Sequence, residues 1–157
     1  MYVVREDRKG GGQSALVDTV ALERNLSRNT LHVLSTTDFN MRVPVEFQKG
    51  SAGDLLRGKV MYSEGLWRYR SDIIVRESCT SAQLETLREL DSLLGNPHVV
   101  LWMHLPQDSM LILDNARWMH GRSAVSDPER WLKRVRFHPG GARVWKHDRI
   151  ANTLTLE

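Results

Sequence analysis

The sequence predicts a mainly β fold of antiparallel strands, with one or two helices packed at its periphery. Short apolar or alternating runs, bounded by turn residues, recur along most of the chain. One longer stretch has helical periodicity, and strands and helices do not alternate as they would around a parallel sheet. The 157 residues are 41% hydrophobic and 26% charged, which suits a single folded domain with an apolar core.

The predicted strands share turn residues at their ends and apolar side chains at every position or every second position. In chain order they are residues 14–17, 42–47, 57–62, 66–70, 98–105, 110–113 and 131–137. Pro44 cannot donate to a ladder, which makes the second of these an edge strand or an irregular segment. The turn at 63–65 predicts that 57–62 and 66–70 form a β-hairpin.

Two segments have the start signals and spacing of helices. Asp18 or Thr19 begins a predicted helix over 20–26. Thr80 or Ser81 begins the clearer one, over 82–94, whose leucines recur at three- and four-residue intervals. Residues 31–34 form either a short strand or a helix end.

Composition excludes several classes of protein. No apolar run approaches the ~20 residues that span a bilayer, and the N-terminus has no signal-like segment. Cys79 is the single cysteine and cannot form an internal disulfide, so we expect a cytoplasmic protein without membrane partners. The net charge of +3 is mild, and no nucleic-acid motif occurs, so no specific nucleic-acid partner is expected. A basic module built on the tail, with Trp145 and its neighbouring basic residues, is the least favoured alternative.

One histidine and one arginine are the candidate functional residues. His120 follows a strongly apolar run and precedes Gly121, and an imidazole at a strand end is a common metal ligand. The alternative is a histidine that only forms hydrogen bonds. Arg134 shares one face of its predicted strand with residues 130, 132 and 136. That face is either solvent-exposed or turned inward, where a buried guanidinium requires an anionic partner.

The motif DNARWMHGR at residues 114–122, followed by Arg134, resembles the C-terminal motif of Fe(II)/2-oxoglutarate-dependent dioxygenases of the taurine dioxygenase and clavaminate synthase-like superfamily. The stretch GGQSALVD at 11–18 resembles the segment after the first metal motif of those enzymes. The resemblance implies a jelly-roll (double-stranded β-helix) core that is incomplete in this chain. The resemblance covers a domain at 1–138 and leaves 139–157 as a tail.

The resemblance also implies a ligand set. His120 would be the distal histidine of an iron site, and Arg134 would hold the far carboxylate of the co-substrate 2-oxoglutarate. Ser14 stands where a hydroxyl contacts the co-substrate, and Arg122 and Asn115 would support the site or contact a small-molecule substrate. The implied reaction oxidises a substrate C–H bond and releases succinate and CO2. Some relatives that hydroxylate amino acids carry a further arginine where this chain has His138, so the match gives no support for an amino-acid carboxylate.

One expected motif is absent. None of the six histidines is followed two residues later by Asp or Glu, so the His-x-Asp/Glu motif that supplies the other two iron ligands is missing. We therefore expect the chain to be the C-terminal part of a longer dioxygenase. An incomplete barrel would expose sheet edges, which favours a homo-oligomer or pairing with a complementary chain. The alternative function is a non-catalytic jelly-roll subunit that binds a small acid or a partner chain.

Overall fold

Three antiparallel sheets and a layer of helices organise the residues that the computed structural model describes, which are 1–43, 55–62 and 65–135. The strands are β1 (Tyr2–Arg5), β2 (Ser14–Asp18), β3 (Phe39–Arg42), β4 (Leu55–Gly58), β5 (Leu101–Met103), β6 (Trp118–Arg122) and β7 (Trp131–Lys133). The helices are α1 (Thr19–Asn25), α2 (Arg28–Thr36) and α3 (Ser81–Leu94). The predicted mainly β, antiparallel class is confirmed.

The central sheet has the strand order β5-β2-β6, and two-stranded sheets are formed by β1 with β7 and by β3 with β4. Strand β2 therefore has a neighbour on both sides. On one of its faces, Ala15 and Val17 join Met119 of β6 in the hydrophobic core. The helices supply the other side of that core through buried leucines, which are Leu22, Leu26, Leu34, Leu87 and Leu90. The sheet thus has one face committed to helix packing.

The helix starts follow the predicted signals. The Asp18 side chain accepts a hydrogen bond from the Val20 backbone N–H at the start of α1. Thr80 and Gln83 form a reciprocal capping box at the start of α3. The described residues form three α-helices, where one or two were predicted. The additional helix is α2, which contains residues 31–34. Ser27 caps that helix, and Leu34 is buried in the core. The short apolar run at 31–34 did not by itself indicate either contact.

Several strands differ from their predicted bounds. The run 110–113 makes only an isolated bridge, between Met110 and Tyr2, and strand β5 covers only the middle of 98–105. Strand β1 was not predicted; it forms because β7 offers it a partner. Of the predicted hairpin, the described residues retain an isolated bridge between Met61 and Trp67, with backbone hydrogen bonds from Tyr62 to Leu66 and from Arg68 to Val60. Strand β4 overlaps the start of the hairpin but pairs with β3, and no strand covers the described residues 66–70. The predicted edge strand over 42–47 and the tail at 139–157 lie largely or wholly outside the described residues.

Among the helices of the described residues, none is long and apolar enough to cross a membrane.

Helices α2 and α3 are joined by one carboxylate. Glu89 of α3 accepts hydrogen bonds from the backbone N–H and hydroxyl of Ser27 and from the hydroxyl of Thr30. Burial alone would raise the pKa of Glu89, but these hydrogen bonds outweigh it and hold the pKa below its ordinary value. A carboxyl whose pKa is lower in the folded chain contributes stability above its unfolded pKa, and that contribution is lost as pH falls through the folded pKa.

We therefore predict that Glu89→Gln weakens the acid sensitivity of the fold. Between about pH 6 and about pH 3, a window that brackets the ordinary glutamate pKa, the variant should lose less stability than the wild type. Urea unfolding followed by circular dichroism measures this, with Glu85→Gln at an exposed position of the same helix as the control. Equal pH dependence in the wild type and Glu89→Gln would contradict the prediction.

Candidate co-substrate site

The face of the central sheet that is turned away from the helices carries the predicted site residues. In the antiparallel pairing of β2 with β6, Ser14 lies opposite Arg122 and Leu16 lies opposite His120. Opposed residues of such a pair project from the same face, and so do residues two apart on one strand. Ser14, His120 and Arg122 therefore share one face.

Arg134 meets His120 across this face. The guanidinium Nη2 of Arg134 lies 3.0 Å from the imidazole Nε2 of His120, although 14 positions separate the two residues. A guanidinium has no acceptor and remains charged, so Arg134 donates and Nε2 accepts. The imidazole is therefore neutral at this nitrogen, with its proton on Nδ1. An unprotonated Nε2 is the form that can also bind a metal.

The side-chain alternation of β7 continues to Arg134, the residue after the strand, and turns it inward. Leu132 and Arg134 are half-buried, whereas Trp131, Lys133 and Val135 are exposed. Of the two orientations that the alternating sequence allowed, the arginine-bearing face is thus the inner one. Strand β1 pairs with β7 from Tyr2 to Arg5 and holds it beside the central sheet.

The other predicted site residues take different positions. Ser14 is buried at the start of β2, next to Arg122 in the ladder. Asn115 lies exposed in the turn before β6, at the opposite end of that strand from Arg122. The structure therefore groups Ser14, Arg122, His120 and Arg134 around one sheet face and leaves Asn115 at its margin.

The two sequence motifs contact each other directly. Arg117 of the 114–122 motif donates a hydrogen bond of 2.8 Å to Asp18, the last residue of the 11–18 motif. This hydrogen bond lowers the pKa of the Asp18 carboxyl below its ordinary value. The same carboxylate caps α1, so one aspartate ties the turn before β6 to the helix that follows β2.

The glycine pair of the 11–18 motif has a steric cause. Gly12 has φ +64°, and a Cβ there would lie 2.6 Å from Nε of Arg130. A Cβ on Gly11 would lie 2.6 Å from the Asp7 carboxylate. Arg130 packs over this backbone and donates a hydrogen bond of 3.0 Å to the Gly12 carbonyl. The motif thus lets an arginine just before β7 approach the backbone just before β2.

Several positively charged groups lie close together in this region. Burial lowers the pKa of the Arg122 guanidinium, and the nearby charge of Arg130 lowers it further. Burial also lowers the pKa of the Met1 amino group, with a further contribution from Arg134. Partly desolvated cations that repel one another are stabilised by an anion.

Metal ligands are sparse in the part of the chain that the structure describes. No group of three or more His, Cys, Asp or Glu side chains there is placed to hold a metal ion. His120 is the residue in the described ranges for which the sequence predicts a metal-ligand role.

Sequence reasoning does not single out Arg70, because exposed arginines are usually only solvated. The structure buries Arg70, leaving 8% of it exposed. The sequence Arg70-Ser71-Asp72 was the signal that could have revealed this burial. A carboxylate two residues away can accept hydrogen bonds from two nitrogens of a guanidinium, as Asp72 does here.

Residues 54–136 match the profile of the "Taurine catabolism dioxygenase TauD, TfdA family", which is more than half of the 157 residues. The chain therefore belongs to the TauD/TfdA family, and the resemblance inferred from its motifs is confirmed. No curated protein sequence matches the chain.

Solved structures of asparagine oxygenase have the same fold. One, in complex with Fe(II), 2S,3S-3-hydroxyasparagine and succinate, is 21% identical with a TM-score of 0.67 and covers 82% of this chain. A second is also 21% identical with a TM-score of 0.59. The predicted jelly-roll class is thereby confirmed. The chain spans 40% and 38% of the length of those two proteins.

The contact between His120 and Arg134 predicts a single imidazole tautomer. Long-range ¹H–¹⁵N NMR spectra of the metal-free protein should show an unprotonated Nε2 and a protonated Nδ1 at His120. Arg134→Gln removes the guanidinium donor and should allow the Nε2–H tautomer to become populated. Arg117→Gln, which removes an arginine at the edge of the site, should leave the spectrum unchanged. A protonated Nε2 in the wild type would rule out the assigned contact.

Proposed function

We propose that the chain contributes the co-substrate end of an Fe(II)/2-oxoglutarate-dependent dioxygenase site that oxidises a C–H bond of a small molecule and releases succinate and CO2. The single observation that carries the proposal is the 3.0 Å approach of the Arg134 guanidinium to Nε2 of His120. A guanidinium can bind a carboxylate and an unprotonated imidazole nitrogen can bind a metal, and the two lie side by side here on a chain of the TauD/TfdA family.

The chain's own residues would bind and orient the co-substrate. A guanidinium forms paired, charge-assisted hydrogen bonds with a carboxylate, which are stronger than its bond to a neutral imidazole. A bound 2-oxoglutarate would therefore draw Arg134 from His120 onto its far carboxylate and leave Nε2 available. The buried Ser14 hydroxyl, on the same sheet face, would add a neutral donor.

The iron end requires more than the described residues provide. A site of this class uses two histidines and one carboxylate and keeps its remaining positions open. His120 supplies one ligand, and no cluster in the described ranges supplies the set. In this proposal the other two ligands come from outside the described residues.

A second candidate is a non-catalytic subunit that binds a small acid or a partner chain, and exposed apolar side chains favour it. Among the described strands, β5 forms an edge of the central sheet, and Trp102 on it is 46% exposed. Ile112, after the isolated bridge at Met110, is 70% exposed. Exposed apolar side chains along an unpaired edge are typical of surfaces that pair with another polypeptide or a second copy.

Ligand binding distinguishes the two candidates. Calorimetric titration with 2-oxoglutarate should show binding to the wild-type chain that Arg134→Gln weakens about tenfold or more, because the paired hydrogen bonds to a carboxylate are lost. Anaerobic addition of Fe(II) and 2-oxoglutarate then tests the iron end, because the visible charge-transfer band of the chelate forms only if the other two ligands are supplied as well. His120→Ala should abolish this band, and Arg134→Gln should weaken it.

Arg117→Gln is the matched control, since it removes one arginine of the same motif without touching His120 or Arg134. Binding of 2-oxoglutarate without the charge-transfer band would show that the other two iron ligands are not supplied and would support the acid-binding subunit. Absence of both binding and band would overturn the dioxygenase proposal.

A further inference from the structure

We propose that the cavity between residues 70–72 and 121–125 is a subsite for the oxyanion group of a small organic acid, with Arg70 and Arg122 as its recognition residues. Calling that acid the substrate rests on the proposed function. The binding of the oxyanion does not, because neither His120 nor Arg134 lines this cavity.

Arg70 is the first observation behind this inference. Its Nε and Nη2 donate to the two carboxylate oxygens of Asp72 at 3.0 and 2.7 Å, so one edge of the guanidinium is fixed. The remaining nitrogen, Nη1, is buried and has no hydrogen-bond partner within the described part of the chain. A buried charged donor without an acceptor is costly, and most such groups in folded proteins are satisfied. An oxyanion in the cavity would supply the acceptor.

The cavity itself is the second observation. Its volume is about 250 Å³, near the lower end of small-molecule sites, which suits one end of a small acid rather than a large ligand. Among the described residues that line it, Arg70 and Arg122 carry guanidinium groups, which bind carboxylates and related anions through charge-assisted hydrogen bonds. Such a lining favours an anionic group over a cationic one.

Ser123 adds a neutral donor. Its hydroxyl oxygen accepts a hydrogen bond of 3.0 Å from the Gln13 backbone N–H, which leaves the hydroxyl hydrogen to be donated elsewhere. Ser123 lines the cavity. Two guanidinium groups and a hydroxyl are a donor set that carboxylates, sulfonates and phosphates share.

The position of the cavity connects it to the co-substrate site. Arg122 is two residues from His120 on the same face of β6, which is about 7 Å along an antiparallel strand. An acid of a few carbons anchored at Arg122 would therefore reach toward the imidazole with its far end. This spacing separates the proposed subsite from Arg134, which contacts His120 itself.

Calorimetric titration with propionate, inorganic sulfate and the uncharged propionamide, at constant ionic strength, tests the proposal. Wild-type protein should bind propionate or sulfate and not propionamide. Arg70→Gln and Arg122→Gln should each weaken that binding at least tenfold, and Arg88→Gln, an exposed arginine of α3, should not change it. His120→Ala and Arg134→Gln should also retain it, which separates this subsite from the co-substrate site.

Because Arg70 is buried, circular dichroism is used to establish whether Arg70→Gln is folded. If it is not folded, the test relies on Arg122→Gln, at a half-buried position. The proposal is overturned if the wild type binds neither anion, if it binds propionamide as well, or if Arg122→Gln behaves like Arg88→Gln. A failure of the dioxygenase proposal leaves these results unchanged, because the titrations contain neither iron nor 2-oxoglutarate.

Discussion

The register of β2 against β6 is the constraint on which the rest of the structure depends. Ala15 and Val17 must face the helical core, and antiparallel pairing then forces the residues opposite them, Gly121 and Met119, onto that same side. His120 and Arg122 are thereby assigned to the other face. A shift of one residue would put an imidazole and a guanidinium among buried leucines, where neither would find a partner. The burial of a few apolar side chains therefore also orients the polar ones.

The segments that flank β2 and β6 are held by polar groups. Asp7 is buried and accepts hydrogen bonds from the backbone N–H groups of Ser126 and Asp127. Burial alone would raise the pKa of Asp7, but backbone hydrogen bonds outweigh it and keep the pKa low. This carboxylate joins the turn before β2 to the loop before β7, so the strand that precedes Arg134 is fixed relative to the sheet that carries His120.

An unusual density of guanidinium groups follows from this arrangement. Arg122, Arg130 and Arg134 come from two neighbouring stretches of chain, and the fold directs all three toward the region around the inner sheet face. Asp18 and Asp72 are each bound to another arginine, Arg117 and Arg70 respectively. Clustered guanidinium groups are typical of sites that bind carboxylates or related groups. Arg134 lies at the imidazole, and Arg70 lies in the neighbouring cavity.

Local sequence determined the elements whose signals lie within a few residues. The capping box at Thr80, the leucine spacing of α3, the aspartate that caps α1 and the pairing of His120 with Arg134 as functional candidates could all be predicted. The family could be recognised because its motif is compact. Strand β1 and the true extent of β5 could not be predicted, because a strand is stabilised by its partner and not by its own side chains.

The burial of Arg70 and the orientation of Arg134 were decided only by tertiary structure. An alternating strand does not indicate which of its faces meets solvent, and an arginine has the same sequence signature whether it is solvated or enclosed. Both were settled by long-range contacts: β1 against β7, β2 against β6, and the segment at 70–72 against the residues that follow β6. The sequence alone thus determined which chemical groups are present, and the packing of distant segments decided which of them face one another.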